Sequence, residues 1–421
     1  MAYCVRTQVF LDKLPVSNVT LSPGKGLTWT VHQPVFTVYG NISWLGRPLS
    51  LSGSSSFSVV VHGTTISLSA TPVVTRERRM AIENVTCKCH LSGIQFRPTG
   101  ATSRNLRNIQ SAGAIALQFG LERKMCDAAR ATGVHYANRR LHAEQMVFPV
   151  GSQKKWLLDY RLVSVKVEPD YLEFFHKGEF FAEGNATEAP FRPSPLPSPA
   201  LSQNRMITEW ISDYVFNTAG YVLHRSGAMR YTMTKRDLPD DRRNFFSITS
   251  YPFGAKIDGS YIGMVIPMVE NMCWGCEVEV EGKTTKPPTA IIDDGKFIVK
   301  FDGVLAFSAR RRNGTLVDLF DLDVVQNVSL VPSVQQRALK FAVGKTDHRL
   351  TLGRSTIFGV PVEKLKFLFH IFKKRFIVPK LIQAAGVPLP LPTTANVRFT
   401  DPQVQLENNC IKISKNVKVV A

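Results

Sequence analysis

The sequence predicts an α+β fold of two lobes, each a curved antiparallel sheet with one long helix laid along it. Three observations carry this. Apolar and polar residues alternate through much of the chain, as at Phe57, Val59 and Val61, the period of a strand with one dry and one wet face. In two long stretches the period lengthens to three and four residues, the signature of a helix. Between the halves lies Pro190 to Pro199, read PFRPSPLPSP, in which five of ten residues are proline. Each proline fixes its own φ and biases the residue before it toward extended backbone, so the run is expected to be a stiff, solvated spacer. A long surface loop or a docking site for a proline-reading module would look similar, but 421 residues favour two domains. The expected boundaries are 1–183, a spacer at 184–205, and 206–421.

In order along the chain, Gly24 and Gly26 of SPGKGL mark a turn between two strand-like runs. Phe57, Val59 and Val61 alternate, then Ile66, Leu68 and Ala70 do so one residue out of phase. A bulge or tight turn is therefore expected at His62-Gly63-Thr64. From Asn105 to about His142 there is no proline, and Leu106, Ile109, Ala112, Ala116 and Phe119 recur at helical spacing. This predicts a long helix with a break at Gly133. Strands are expected again from Trp156 to Phe181.

The second half repeats the plan. Met206–Ile211 reads as a strand, Ser212 or Asp213 as a helix cap, and Val215, Ala219 and Val222 as one face of the helix, with Gly227 as its stop. Strands follow at 297–309, 316–330 and 339–343. A last helix over 362–385 carries Leu365, Leu368, Phe369, Phe372 and Phe376 on a wide apolar stripe, with Pro379 expected to kink it and Gly386 to end it. Such a stripe is usually core, but it could also line a lipid-holding groove. The closing strand alternates at Ile411, Ile413, Val417 and Val419.

No apolar run is as long as a membrane span, and the N-terminus has neither an apolar core nor a small-residue cleavage site of a secretory signal. Six Asn-x-Ser/Thr sequons (Asn18, Asn41, Asn84, Asn185, Asn313 and Asn327) nevertheless exceed the roughly two that chance would give. They point to a glycosylated, secreted chain. The two readings agree if the sequence lacks its true N-terminus.

The formal charge is +19, and the segment from Arg76 to Arg140 holds 12 basic against 4 acidic residues. Lys364, Lys366, Lys373, Lys374, Arg375 and Lys380 form a second cluster. Such surfaces attract phosphates on lipid or nucleic acid, or are simply solvated. No nucleic-acid recognition motif is present, so no nucleic-acid partner is expected.

Cys87 or Cys89, on a strand, could bridge to Cys126 on the long helix, closing a loop worth about 3–4 kcal/mol. Cys87-Lys88-Cys89-His90 lacks a second ligand pair, so no metal is expected. Cys273-Trp274-Gly275-Cys276 has redox spacing, but a strand-like run follows it where a redox site needs a helix, so a local disulfide or two thiols is the better reading. No catalytic motif or phosphate loop is found. No enzyme activity and no cofactor are expected.

Ser212-Asp213-Tyr214-Val215-Phe216-Asn217-Thr218-Ala219-Gly220 resembles the segment that opens the C-terminal barrel of the bactericidal/permeability-increasing protein family, which includes lipopolysaccharide-binding protein and the plasma lipid-transfer proteins. Leu51-Ser52-Gly53, Lys177-Gly178-Glu179-Phe180-Phe181, Asn204-Arg205-Met206 and Pro388-Leu389-Pro390-Leu391-Pro392 are similar to the family too. So is the spacing of Cys87 and Cys126, with Cys89 fitting slightly less well. The set covers nearly the whole chain.

The resemblance implies two elongated barrels joined by a central sheet in a boomerang, with the signal peptide and first part of the N-terminal barrel missing here. It also implies apolar pockets between each long helix and its sheet that hold phospholipid acyl chains. Pocket candidates are Leu106, Ile109, Ala116, Phe119, Val215, Ala219, Val222, Leu365, Leu368, Phe369 and Phe372. Head-group candidates are Arg76, Arg78, Arg79, Arg97, Arg104 and Arg107. The implied partners are phospholipid, lipopolysaccharide or another anionic lipid, and membrane surfaces peripherally. Lipid transfer without bacterial recognition, and an extracellular interaction protein that binds no lipid, are the alternatives.

Overall fold

The structure is a computed structural model that describes residues 2–11, 15–45, 52–99, 110–151, 155–184, 188–197, 205–238, 240–249, 261–392 and 397–419. The chain divides into two compact units: 1–145 with 161–177, and 146–160 with 178–421.

The first unit is built on an antiparallel sheet of β1 (Ala2–Leu11), β2 (Val16–Ser22), β3 (Gly26–Leu45), β4 (Ser52–Val74) and β5 (Met80–Thr99). Its order is β1-β3-β4-β5, with β2 also paired to β3. The turn at Gly24 and Gly26 forms where expected. A Cβ on Gly26 would lie 2.1 Å from the carbonyl oxygen of Ala70, so no larger residue fits.

The expected interruption at His62-Gly63-Thr64 is neither a bulge nor a turn. β4 runs straight through it in unbroken register with β3, and Gly63 alone takes φ +58. That single left-handed residue re-phases the side chains. Val59 and Val61 are buried before it and Thr64 after it, and on the paired β3 Phe36 and Gln33 are likewise buried three residues apart.

The predicted first helix is α1 (Gln110–Ala128) and α2 (His135–Ala143), joined by a π-helical turn at Ala129–Val134. Gly133 lies in that turn, so the helix widens there and continues where a break was expected; residues 105–109 lie outside the described residues. The chain next forms β6 (Val147–Val150), β7 (Trp156–Asp159), β8 (Leu162–Val167), β9 (Leu172–His176) and β10 (Glu179–Ala182). β8 and β9 pair as a hairpin in the first unit, while β10-β7-β6 form a small sheet in the second.

In the second unit follow β11 (Ile207–Ser212), α3 (Asp213–Arg225), β12 (Arg230–Met233), α4 (Ile262–Val265), α5 (Pro267–Met272), β13 (Glu277–Thr284), β14 (Thr289–Asp293), β15 (Lys296–Arg310), β16 (Leu316–Gln335) and β17 (Ala338–Ser355). Then come α6 (Val362–Phe372), a π-helical turn at Lys373–Ile377, α7 (Val378–Ala385), β18 (Leu389–Pro390), β19 (Val397–Glu407) and β20 (Cys410–Val419). Seven strands form one sheet, β12-β13-β15-β16-β17-β18 with β14 on β15, and β11-β20-β19 form another.

Ser212 caps α3 by accepting the Tyr214 N–H at 3.2 Å, and Gly227 follows the helix at φ +71. The turn at Lys373–Ile377 ends two residues before Pro379, whose missing N–H removes a helical bond and lets the backbone widen. The predicted strands 297–309, 316–330 and 339–343 are the cores of longer ones.

The proline run has no regular structure over its described part, as expected, but its start is not free. Phe191 meets the rings of Tyr214 and Tyr221 on α3 edge-on, with centroids 5.7 and 6.0 Å away. Ala189 N–H donates to the Glu179 carboxylate at 2.7 Å.

The second unit has two consolidated cores. One gathers Ile248, Ile266, Val269, Leu319 and Leu322. The other gathers Leu158, Phe180, Val215, Phe297, Leu339 and Ile411. The first unit has a small cluster of Phe36, Val59, Val61 and Leu91.

Candidate functional site

β5 is the outer strand of its sheet, so one row of its backbone groups needs partners from elsewhere. The helix supplies them with side chains. Leu91 N–H donates to Glu122 Oε1 at 2.9 Å, and Gln118 Nε2 donates to Leu91 O at 2.8 Å. Asn138 clamps Ile82 the same way, accepting from its N–H at 2.7 Å and donating to its carbonyl at 3.0 Å. Between these clamps the Cys87–Cys126 disulfide joins β5 to α1, with Cα atoms 5.6 Å apart. Helix and strand therefore run antiparallel, side by side.

Ile82 and Leu91 are an odd number of residues apart and should present opposite edges. A bulge reconciles them. Ser69 pairs with Thr86 and Thr71 with Glu83, so Asn84 and Val85 together face Ala70, and Asn84 takes φ +52. These edge-binding side chains escaped the sequence reading, because a polar residue on a helix looks like solvent-facing text.

Cys87 is thus the strand partner of Cys126. Cys89 is free and half-buried, its thiol pushed up to about 11 by burial and then by Glu122. Cys273 and Cys276 form a second disulfide, between the end of α5 and the start of β13.

Above the clamped edge lies an apolar face that is only partly closed. Val38, Phe57, Ile94, Phe96, Leu121 and Met125 are half-buried around Phe36, Val59, Val61 and Leu91. Phe119, a pocket candidate, is 70% exposed. The side chain of Ala116 is outside the described set, and Leu106 and Ile109 lie outside the described residues.

In the second unit Val215, Ala219 and Val222 belong to a packed core with Leu158, Phe180 and Ile292. Leu365 is buried in the other core. Phe369 is buried against His348, with ring centroids 4.9 Å apart. Leu368 and Phe372 are on α6, with side chains outside the described set.

The arginine candidates do not converge. Arg76 and Arg78 are exposed in the β4–β5 turn. The half-buried Arg79 donates to the carbonyl of Glu144 and so ties that turn to the end of α2. Glu77 and His142 make the same connection at 2.7 Å, which sets Arg139 and Arg140 near the turn. Arg97 is exposed toward the far end of β5, about 60 Å along the strand from the turn by residue count, and pairs with Gln95. Arg104 and Arg107 lie outside the described residues.

Among the sequons, Asn18, Asn41, Asn84 and Asn313 are exposed and Asn327 is half-buried; Asn185 lies outside the described residues.

A family model, the LBP / BPI / CETP family C-terminal domain, matches residues 151–419. The chain belongs to this family. It is 25% identical over 407 residues to bactericidal permeability-increasing protein of Sebastes schlegelii, covering 96% of this chain and 82% of that one. It is 23% identical over 412 residues to lipopolysaccharide-binding protein of Bos taurus, covering 96% and 81%. A crystal structure of lipopolysaccharide binding protein superposes with a TM-score of 0.58 at 17% identity, covering 100% of this chain and 89% of that one, and so shares its fold. Proteins of this family are lipid-binding and non-enzymatic.

Proposed function

We infer that this chain is a secreted lipid-binding protein of innate defence. It takes the acyl chains of a phospholipid or a lipopolysaccharide against apolar faces between helix and sheet, while exposed arginines meet the phosphates. The observation that carries this is the apolar face of the first unit. Its ring of half-buried Val38, Phe57, Ile94, Phe96, Leu121 and Met125 surrounds a small buried centre. A sheet face this apolar and this open gains by covering itself, and each buried CH₂ of a lipid is worth about 0.8 kcal/mol.

Arg76 and Arg78 in the β4–β5 turn, with Arg139 and Arg140 on α2, whose end the turn contacts, are the head-group residues this reading favours. Family membership and the names carried by its relatives support the same ligand class. Exposed sequons support an extracellular setting.

Native mass spectrometry tests it, on protein secreted from eukaryotic cells behind an added signal peptide. A mass excess that disappears on organic extraction, with phospholipid or lipid A in the extract, is the expected result. Folded, glycosylated protein without lipid would overturn the carrier reading. Binding to phosphatidylglycerol vesicles should exceed binding to phosphatidylcholine vesicles and weaken as salt rises.

A further inference from the structure

Lys373 is 6% exposed. It opens the π-helical turn after α6 and lies on the buried stripe of Leu365 and Phe369, four residues on from Phe369 and eight from Leu365. Its ammonium is 3.0 Å from His348 Nδ1, which as an acceptor is neutral. Directly across the ladder from His348 stands Gln326, also 6% exposed. Its amide nitrogen is held by the carbonyls of Asn327 and Asp347 at 2.9 and 2.7 Å, while its Oε1 is buried with no hydrogen-bond partner.

On either side along these strands the same face carries Val328 and Leu350, both buried. A polar row thus crosses an otherwise apolar interior, and it holds a cation. The sequence has no acidic residue from 364 to 400. Asp347, the next residue on β17, is exposed on the opposite face of the strand, and Glu363 is exposed and paired with Lys366 at 2.6 Å. Among the described residues no carboxylate pairs with this ammonium, and Asp347 pulls on it only from the other face of the strand; a buried ammonium so placed is costly, and the cost is removed by an anion that arrives with its own apolar body.

We propose that Lys373 and His348 form an anion site inside the second unit, which receives the oxyanion at the end of an acyl chain while the chain lies along the neighbouring apolar face. Lys373 supplies the charge. His348, which accepts from Lys373 at Nδ1 and so carries its proton on Nε2, can donate from that nitrogen, while Gln326, its N–H groups already given to Asn327 and Asp347, keeps the row polar without contacting the anion. Burial holds Lys373 below the usual lysine range, and burial with the adjacent Lys373 holds His348 below the usual histidine range. Both shifts reflect an interior that disfavours positive charge lacking a counter-ion close by. This rests on the lipid-carrier reading and adds a head-group class to it.

The test compares cis-parinaric acid with its methyl ester, by fluorescence titration at neutral pH, on the full chain and on Lys373→Met. A charge-assisted contact predicts that the acid binds about tenfold tighter than the ester. Lys373→Met should bring the two within about twofold of each other, leave ester affinity in place, and melt no lower than the parent when lipid-free. Displacement of bound parinarate by oleate assigns a carboxylate, and displacement by oleoyl lysophosphatidate but not oleate assigns a phosphomonoester. Displacement by neither overturns the site. Equal binding of acid and ester by the parent, or a preference for acid that survives Lys373→Met, overturns the site and leaves the carrier reading standing. Failure to bind either probe overturns both.

Discussion

Lys415 has no exposed surface. Its ammonium lies 2.7 Å from Glu209 Oε2 and 3.5 Å above the ring centroid of Phe399, so it is held by a buried carboxylate and an aromatic face together. Burial raises the Glu209 carboxyl above its usual range even against the pull of Lys415. Lys415→Met should therefore cost about 3–5 kcal/mol in urea unfolding, because it strands that carboxylate. The variant should also gain a pH dependence of definite sign. With its folded pKa raised, Glu209 binds a proton more readily folded than unfolded, so stability is greatest in acid and falls as pH rises from the unfolded carboxylate range toward the folded value. Lys415→Met/Glu209→Leu, with both charges gone, should recover most of the loss and be flat in pH. A single variant as stable as the parent would show that the pair contributes nothing. The lysine was visible in the sequence as an in-phase interruption of Ile411, Ile413, Val417 and Val419, as Lys373 was of the stripe through Leu365 and Phe369. What could not be read was the partner, because Glu209 lies some two hundred positions away and spacing carries no information about a contact made by folding.

At the scale of elements, the first helix is fastened to β5 by three devices of different chemistry: the Gln118 and Glu122 clamp at Leu91, the Cys87–Cys126 disulfide and the Asn138 clamp at Ile82. Period and proline content made the helix legible, and strand alternation made the sheet legible. The docking was not, since edge-binding amides read as surface residues and the bulge at Asn84 that aligns the two clamps has no local signature beyond an asparagine. Asn138→Leu leaves both backbone groups of Ile82 without a partner and should cost about 1–3 kcal/mol. In hydrogen exchange, the Ile82 amide should lose protection while the Leu91 amide, held by Glu122, keeps its own. Equal loss at both would mean that the helix detaches as one body. Replacing Cys87 and Cys126 by serine should lower stability by about 3–4 kcal/mol, from the loop they close. The clamps on either side should still hold the helix, so helical circular dichroism should persist at low temperature.

For the whole molecule, the composition implied more than one core and the proline run drew attention to the middle of the chain. The path of the chain through its two units was not legible. Residues 146–160 are grouped with 178–421, and 161–177 with the N-terminal part, because strand pairing decides membership and a four-residue strand such as β6 or β7 is too short to announce its partner. This has a direct consequence for dissection. Leu158, Tyr160 and Phe180 are buried in one core with Ile211, Phe399 and Ile411, and the Tyr160 hydroxyl donates to the carbonyl of Pro390 at 2.8 Å. A fragment beginning at Met206 loses all three side chains together with β6, β7 and β10. At about 1.5–3 kcal/mol for each large apolar side chain, the loss is comparable with the roughly 5–15 kcal/mol that holds a typical domain folded. Fragment 146–421 restores them. It should therefore show a single cooperative thermal transition with a near-ultraviolet dichroic signal, whereas fragment 206–421 should show neither. If 206–421 melts as sharply as 146–421, the small sheet is an accessory to a core that is complete without it.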